Sequence, residues 1–238
     1  MIVVVGLPAY AESAGGEGSA GGLAVEVAAA AHALGSVVEL VGKVGDDGAG
    51  DAVVLALGRL GVGHAALLRD PSRSTPVLSP VAIATSSESE SAAPTADAPA
   101  AEVLADDRGE DGSRVEVELL PADPAARPGL EAGDISLALR YLAETRVVVL
   151  AEPLPELAVA AAVEGATYAG ARLVVLLPPG ATPPSLPPEA TLLETPGTDD
   201  GSFGRVVGAF ASGLDAGTEP AAAFAEAIRA SGWEPVAG

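Results

Sequence analysis

The chain of 238 residues contains no cysteine, no asparagine and no glutamine, and its only lysine is Lys43. Without cysteine it can have no disulfide framework, no cysteine-ligated zinc and no thiol nucleophile. Any mechanism that requires a carboxamide side chain is excluded as well. Aromatic residues make up only 3% of the chain. Burial must therefore be spread over many small side chains, mostly alanine and valine.

Positive charge is scarce too. The sequence has 12 Lys and Arg against 33 Asp and Glu, a formal net charge of −21. Such an acidic protein repels nucleic-acid phosphates and anionic membrane surfaces, which excludes both as partners. The first six residues lack the basic region and the long apolar run of a signal or membrane-spanning segment, so we expect a cytoplasmic protein.

Short apolar runs alternate with helical patterns along most of the chain. Continuous apolar strands separated by helices indicate a mainly parallel sheet with helices on both faces, a three-layer α/β fold. The length predicts a single domain over residues 1–238. The predicted buried strands are 2–6, 37–41, 146–151 and 172–177, and the predicted helices are 22–34, 48–60, 134–144, 155–169, 202–214 and 219–230.

One segment interrupts this order. Residues 85–113 are rich in Ser, Ala, Pro and acidic residues and have almost no apolar periodicity, which predicts a flexible loop. The segments before and after it, 76–84 and 114–120, are expected to be strands, and residues 114–120 alternate strictly between apolar and polar. We therefore expect the loop to join two strands of one sheet.

Several motifs occur in a distinctive order. Gly21-Gly22-Leu-Ala-Val-Glu26 opens an alanine-rich helix that ends at Leu34-Gly35, and the strand and turn that follow reach Gly50. Ala151-Glu152-Pro153 comes after a later strand, and Gly208-Ala-Phe lies in a helix near the end. The order and spacing of these motifs resemble the PfkB carbohydrate kinase family, also called ribokinase-like, over most of the chain.

The resemblance implies a ribokinase-like three-layer α/β fold and a transferase that moves a phosphoryl group from ATP, with Mg²⁺, to a hydroxyl of a sugar or nucleoside. The family holds the phosphoryl charge on a glycine-rich loop at a helix N-terminus and uses an aspartate there as the base. It often pairs through lid strands, which predicts a homodimer. By resemblance the catalytic base is Asp200, the anion hole is formed by Gly197, Thr198 and Gly201, and the substrate-binding residues are Gly21, Gly22, Glu26 and Glu152; no metal ligand is carried over.

The chain also departs from the family pattern. In the loop that ends at Asp200, Asp199 replaces an anion-hole glycine. A second alignment, without a gap, places Gly204 at the position of the base, and the sequence leaves the choice between Asp200 and Gly204 open. Glu26 replaces an asparagine, the acidic residue expected after the first strand is absent, and the family's N-x-x-E motif cannot exist in a chain without asparagine.

These departures predict a shortened family member whose phosphoryl transfer is impaired or lost, a pseudokinase that acts as a small-molecule binder or as a partner. The alternative is an active sugar or nucleoside kinase with Asp200 as base. A third and more remote hypothesis, an NAD(P)-binding oxidoreductase, rests on a glycine motif from Gly16 to Gly21 with Glu39 as the ribose contact.

Each candidate also has a purely structural interpretation. Asp200 is suited to cap a helix, and Asp46 and Asp47 to cap the helix that follows them. The Gly21-Gly22 pair fits a tight turn, and Glu152 fits a solvated loop acid. His32 and His64, which lack partners at catalytic or metal spacing, are expected to be structural.

Overall fold

The structure is a computed structural model that describes residues 1–12, 18–81, 116–142, 144–196 and 201–231. The segment 85–113, which the sequence predicts as a flexible loop, lies outside the described residues. The described strands are β1 (Ile2–Val5), β2 (Ala9–Ala11), β3 (Ser19–Gly21), β4 (Val38–Gly45), β5 (Leu67–Asp70), β6 (Val77–Val81), β7 (Glu116–Leu120), β8 (Val147–Leu150), β9 (Arg172–Leu177) and β10 (Thr191–Glu194). The described α-helices are α1 (Leu23–Ala33), α2 (Gly48–Arg59), α3 (Ala132–Tyr141), α4 (Glu156–Ala169), α5 (Ser202–Asp215) and α6 (Pro220–Ser231).

Six strands form a central sheet in the order β10-β9-β8-β1-β4-β5, and every neighbouring pair is parallel. Strands β1 and β8 are buried along their whole length because they read Ile-Val-Val-Val and Val-Val-Val-Leu, and both faces of the sheet are covered. Helices α1, α2, α5 and α6 pack on one face, and α3 and α4 on the other. The predicted three-layer α/β fold is confirmed.

A smaller sheet of four strands, in the order β3-β2-β6-β7, lies beside the central sheet and contacts α2. Its β6 and β7 run antiparallel, with Val77 opposite Leu120 and Val81 opposite Glu116. The expected pairing of the segments before and after residues 85–113 is therefore confirmed. The sequence did not indicate β2 or β3, which are three residues long, nor β10 at the edge of the central sheet.

The N-terminus of α2 is fixed by a cluster around Asp47. Its carboxylate accepts hydrogen bonds from the Gly50 amide at 2.8 Å, the Thr75 amide at 2.9 Å and the Thr75 hydroxyl at 2.6 Å. Burial alone would raise the pKa of Asp47, but the hydrogen bonds from Thr75 and Gly50 outweigh it and hold the pKa below the ordinary value. The predicted cap at Asp47 is confirmed, and it also ties α2 to the chain leading into β6.

Helix α3 begins at Ala132, two residues before the predicted start. The Asp134 carboxylate reaches back to accept a hydrogen bond from the Glu131 amide at 2.9 Å, so Asp134 lies inside the first turn. The same carboxylate pairs with Lys43 on β4 at 2.6 Å. None of the described helices has the length and apolar character needed to cross a membrane.

Candidate functional site

The predicted substrate-binding residues lie around the carboxyl ends of β1 and β8. These strands are adjacent and parallel, so the chain leaves both at the same edge of the sheet. Gly6 follows β1, and Glu152 comes two residues after β8. A Cβ built on Gly6 would lie 2.8 Å from Ala24 Cβ and 3.8 Å from Glu152 Cδ. A glycine is therefore required at position 6, where the end of β1, helix α1 and the segment after β8 meet. This is the edge of the sheet at which open α/β folds bind ligands.

Glu152 is half-buried at this edge. Its Oε1 accepts a hydrogen bond from the Leu7 amide at 2.7 Å. Burial raises the pKa of Glu152 to about 7, because desolvation of the carboxylate outweighs the stabilising hydrogen bond from Leu7. Among the described residues, none donates to its second oxygen. Glu152 is therefore not the fully solvated loop acid of the structural interpretation.

The glycine pair joins the small sheet to α1. Gly21 ends β3, where a Cβ would lie 3.0 Å from Ala11 Cβ and 3.1 Å from Leu78 Cδ1. Gly22 is the N-cap of α1 with φ of 94°, a conformation that favours glycine. A Cβ on Gly22 would lie 3.6 Å from the Leu7 carbonyl oxygen. Gly22 and Glu152 therefore both lie against the short segment that leaves β1.

Helices α1 and α5 approach each other closely because glycines line the contact. A Cβ built on Gly208 would lie 2.6 Å from Ala30 Cβ and 2.7 Å from the Val27 carbonyl oxygen. One turn earlier, a Cβ on Gly204 would lie 2.6 Å from Glu26 Cβ. Only glycine permits this spacing at both positions.

The close approach brings Glu26 to the first turn of α5. Its Oε2 lies 2.8 Å from the position that a Cβ on Gly204 would take and 3.8 Å from that of Gly201. Gly201 is the N-cap of α5 and adopts φ of 81°. The amides of the first turn of a helix carry partial positive charge, so the Glu26 carboxylate lies where an anion is favoured. Arg205 Nη1 is also near, 3.7 Å from the Cβ position of Gly201.

The structure thus brings together two parts of the predicted site: Gly22 with Glu152 around Leu7, and Glu26 with Gly201 at α5. Gly197, Thr198 and Asp200 lie outside the described residues, so their predicted roles, and the choice between Asp200 and Gly204, stay predictions. Sequence reasoning missed the Leu7 amide, and it missed the contact between Glu26 and α5. A signal for the second was present, since Gly204 and Gly208 are one helical turn apart.

The remaining candidates have structural partners. His32 and His64 each place Nδ1 near a backbone oxygen, of Ser36 at 3.3 Å and of Val62 at 3.1 Å respectively. Glu39 accepts from the Ala65 amide at 3.3 Å. Within the described ranges, no group of three or more His, Asp or Glu side chains is arranged to hold a metal ion.

The glycine motif behind the oxidoreductase hypothesis also falls in a different setting. Gly18 and Gly21 flank and end β3, which pairs antiparallel with β2 in the small sheet. A dinucleotide fold instead places its glycines directly between the first strand and the first helix.

Comparison with known proteins identifies the fold. No family model matches the chain, and no curated protein matches it in sequence.

Among solved structures, Sa239 superposes with a TM-score of 0.64 at 12% identity, covering 99% of this chain and 95% of that one. Arabidopsis thaliana ribokinase, complexed with ribose and ATP, gives 0.60 at 14% identity over 97% and 90% of the two chains. An E. coli protein assigned as ribokinase II gives 0.63 at 11% identity over 97% and 91%. The resemblance seen in the motifs is confirmed at the level of the fold: the chain has the ribokinase-like fold of sugar kinases.

Proposed function

We propose that the protein binds a sugar or a nucleoside at the carboxyl ends of β1 and β8 and that its ability to phosphorylate that ligand from ATP is impaired. The observation that carries the proposal is the placement of the Glu26 carboxylate at the first turn of α5. The fold supports the ligand class, since the plant ribokinase of the same fold holds ribose together with ATP.

Glu152 supplies the chemistry for a polyol. One carboxyl oxygen is held by the Leu7 amide, which fixes the orientation of the group. The other is left to accept a hydrogen bond from a hydroxyl, and in its protonated form the carboxyl can also donate one. The half-buried position makes such bonds stronger than they would be in water. Gly22, which has no side chain, leaves room for a ligand to approach the backbone at the start of α1.

The same region fits a polyphosphate poorly. A phosphoryl group held by the first-turn amides of α5 would meet the Glu26 carboxylate, and two negative charges at that separation repel each other. Gly204 offers no side chain to take a proton from an acceptor hydroxyl. The described residues therefore do not fit Mg·ATP, and we derive no transfer step through it.

Ligand binding is tested by calorimetry or thermal shift with a panel of pentoses, hexoses and nucleosides. At least one compound is expected to bind, and Glu152→Gln is expected to weaken that binding about tenfold, because an amide replaces an oriented carboxyl. Glu156→Gln, at an exposed position four residues further along, is the matched control. Absence of binding by every compound would contradict the proposed ligand class.

Phosphoryl transfer is tested by ADP release from Mg·ATP in the presence of each compound that binds. We expect turnover at or near the background rate. Robust turnover that disappears in Asp200→Ala would instead establish the active kinase with Asp200 as base. Because binding and turnover are measured separately, failure of one half of the proposal leaves the other half tested.

A further inference from the structure

The two faces of the small sheet have different surroundings. Tyr10 and Ala20, which are opposite each other in the β2–β3 pair, pack against the core on the side of α2. Their neighbours in sequence belong to the other face, because side chains alternate along a strand. Gly21 lies on that second face, where a Cβ would be 3.0 Å from Ala11 Cβ and 3.1 Å from Leu78 Cδ1.

Aliphatic side chains make up most of the second face. Leu78 is opposite Leu119 in the β6–β7 pair, and Ala11 is beside Leu78 in the β2–β6 pair. Residues paired in this way have their side chains on the same side of a sheet. Ala11 and Leu78 are half-buried and Leu119 is 37% exposed, so the surface is partly accessible. We refer to Ala11, Gly21, Leu78 and Leu119 as the apolar face; the polar Ser19 lies at the start of β3, away from α1.

The apolar face is continuous with the candidate site through the glycine pair. Gly21 belongs to the face and is followed directly by Gly22. A Cβ on Gly22 would lie 3.6 Å from the Leu7 carbonyl oxygen and 3.9 Å from the Ala9 nitrogen. The amide of Leu7 in turn holds the Glu152 carboxyl at 2.7 Å. The glycine pair and the segment after β1 therefore join a carboxyl group to an aliphatic surface.

We propose that the ligand of this site is an unphosphorylated nucleoside, whose ribose hydroxyls bind Glu152 and whose base packs on the apolar face. This inference rests on the proposed function and names the ligand within the sugar and nucleoside classes. A free sugar carries hydroxyls around its ring, and packing it against aliphatic side chains would leave some of them without hydrogen bonds.

A nucleoside satisfies both parts of the site. Its base has a flat apolar surface that gains by leaving water, and its ribose still offers hydroxyls to the carboxyl. The Glu26 carboxylate and the net charge of −21 oppose a phosphate near the site, which favours a nucleoside over a nucleotide.

Calorimetry with the full chain tests the proposal by comparing ribose with adenosine and uridine. The tighter of the two nucleosides is expected to bind the native protein at least about tenfold more tightly than ribose, which corresponds to burial of roughly 55 Å² of apolar surface. Leu78→Ala should remove most of this difference and leave the affinity for ribose unchanged. Glu152→Gln should weaken ribose and nucleoside alike, since both use the carboxyl.

Two further variants isolate the apolar face. Leu119→Ala, at a more exposed position of the same face, should weaken nucleoside binding even if Leu78→Ala does not fold, as judged by circular dichroism. Leu192→Ala makes the same change on β10, where the leucine is 42% exposed, and should leave both affinities unchanged.

Ribose binding as tight as that of both nucleosides would overturn the inference while leaving the proposed function in place. An equal loss of ribose and nucleoside affinity in Leu78→Ala and in Leu119→Ala would also overturn it. Absence of binding by all three compounds and by the rest of the sugar panel would overturn the inference together with the proposed function.

Discussion

Glu26 Oε2 lies 2.8 Å from the point where a Cβ on residue 204 would stand, so a carboxylate from α1 fills space that a side chain of α5 would otherwise take. Two sequence features meet at this contact. By the resemblance to the kinase family, Glu26 replaces an asparagine, and Gly204 takes the position of the base in one of the two alignments. The structure shows that the two features depend on each other, because the Glu26 side chain on α1 fills the space that a side chain at position 204 of α5 would need.

Glu26→Gln is expected to create affinity for anions at this place. The carboxylate opposes an incoming phosphate, whereas a glutamine of nearly the same shape leaves the partial positive charge of the α5 N-terminus uncompensated. We expect the affinity for inorganic phosphate and for Mg·ADP to rise about tenfold, as measured by calorimetry at low ionic strength. Glu156→Gln removes the same charge elsewhere and should leave the affinity unchanged. Equal affinity in the native protein and in Glu26→Gln would show that the carboxylate does not exclude phosphate.

The contact between α1 and α5 should be intolerant of even one methyl group. Gly208→Ala would place a Cβ against the Val27 carbonyl oxygen and Ala30 Cβ, neither of which can move without shifting the helix. We expect a loss of about 1–3 kcal/mol in the free energy of unfolding in urea. Gly133→Ala on α3 is the control, since a Cβ there meets nothing within 4 Å. It should raise stability by about 0.5–1 kcal/mol, because alanine is the better helix former. A neutral Gly208→Ala would show that the two helices can separate.

The central sheet could be predicted because its strands carry a strong local signal. Strands β1, β8 and β9 contain uninterrupted apolar runs, and a glycine or a proline comes soon after each of them. Strands β2 and β3 have no such signal, because three residues such as Ser-Ala-Gly become a strand only through pairing with a distant segment. Strand β10 is half exposed at a sheet edge and follows a proline-rich stretch, so its pattern resembles that of a loop.

The features of the candidate site also differ in whether the sequence could predict them. Gly22 could be predicted from the glycine pair, since a helix that begins abruptly needs a residue that tolerates a positive φ. The raised pKa of Glu152 could not, because it depends on burial by residues distant in sequence and on the Leu7 amide. No local pattern places Glu26 beside Gly204, since that contact depends on how α1 and α5 cross.

Asp47→Ala is expected to destabilise the protein by about 2–3 kcal/mol in urea unfolding, because the change removes the helix cap and leaves the Thr75 hydroxyl without its acceptor. Thr75 is only 2% exposed, so water cannot replace the lost bond. Asp46→Ala removes the exposed neighbouring carboxylate and should cost much less. The lowered pKa of Asp47 also predicts how the effect of the substitution depends on pH. The stabilisation by the Asp47 carboxylate is present above its ordinary pKa of 3.8 and is lost as the pH falls below that value. A difference in unfolding free energy between the native protein and Asp47→Ala that is the same at pH 3 and pH 7 would contradict this prediction.

Glu152 should make stability depend on pH in the opposite sense. Its pKa is raised from an ordinary 4.5 to about 7, so between these values the folded protein binds the proton more tightly than the unfolded chain. Stability contributed by this group is complete below pH 4.5 and is lost as the pH rises through 7. Glu152→Gln carries no titrating group there and should gain stability relative to the native protein as the pH rises from 5 to 8, by up to about 3 kcal/mol.

Urea unfolding of the native protein and of Glu152→Gln across that pH range measures this difference in unfolding free energy. The titration of the other acidic residues is the same in both proteins and cancels. A difference that stays constant from pH 5 to 8 would mean that Glu152 titrates as a solvated acid, and the partly desolvated carboxyl that the proposed sugar binding requires would be absent.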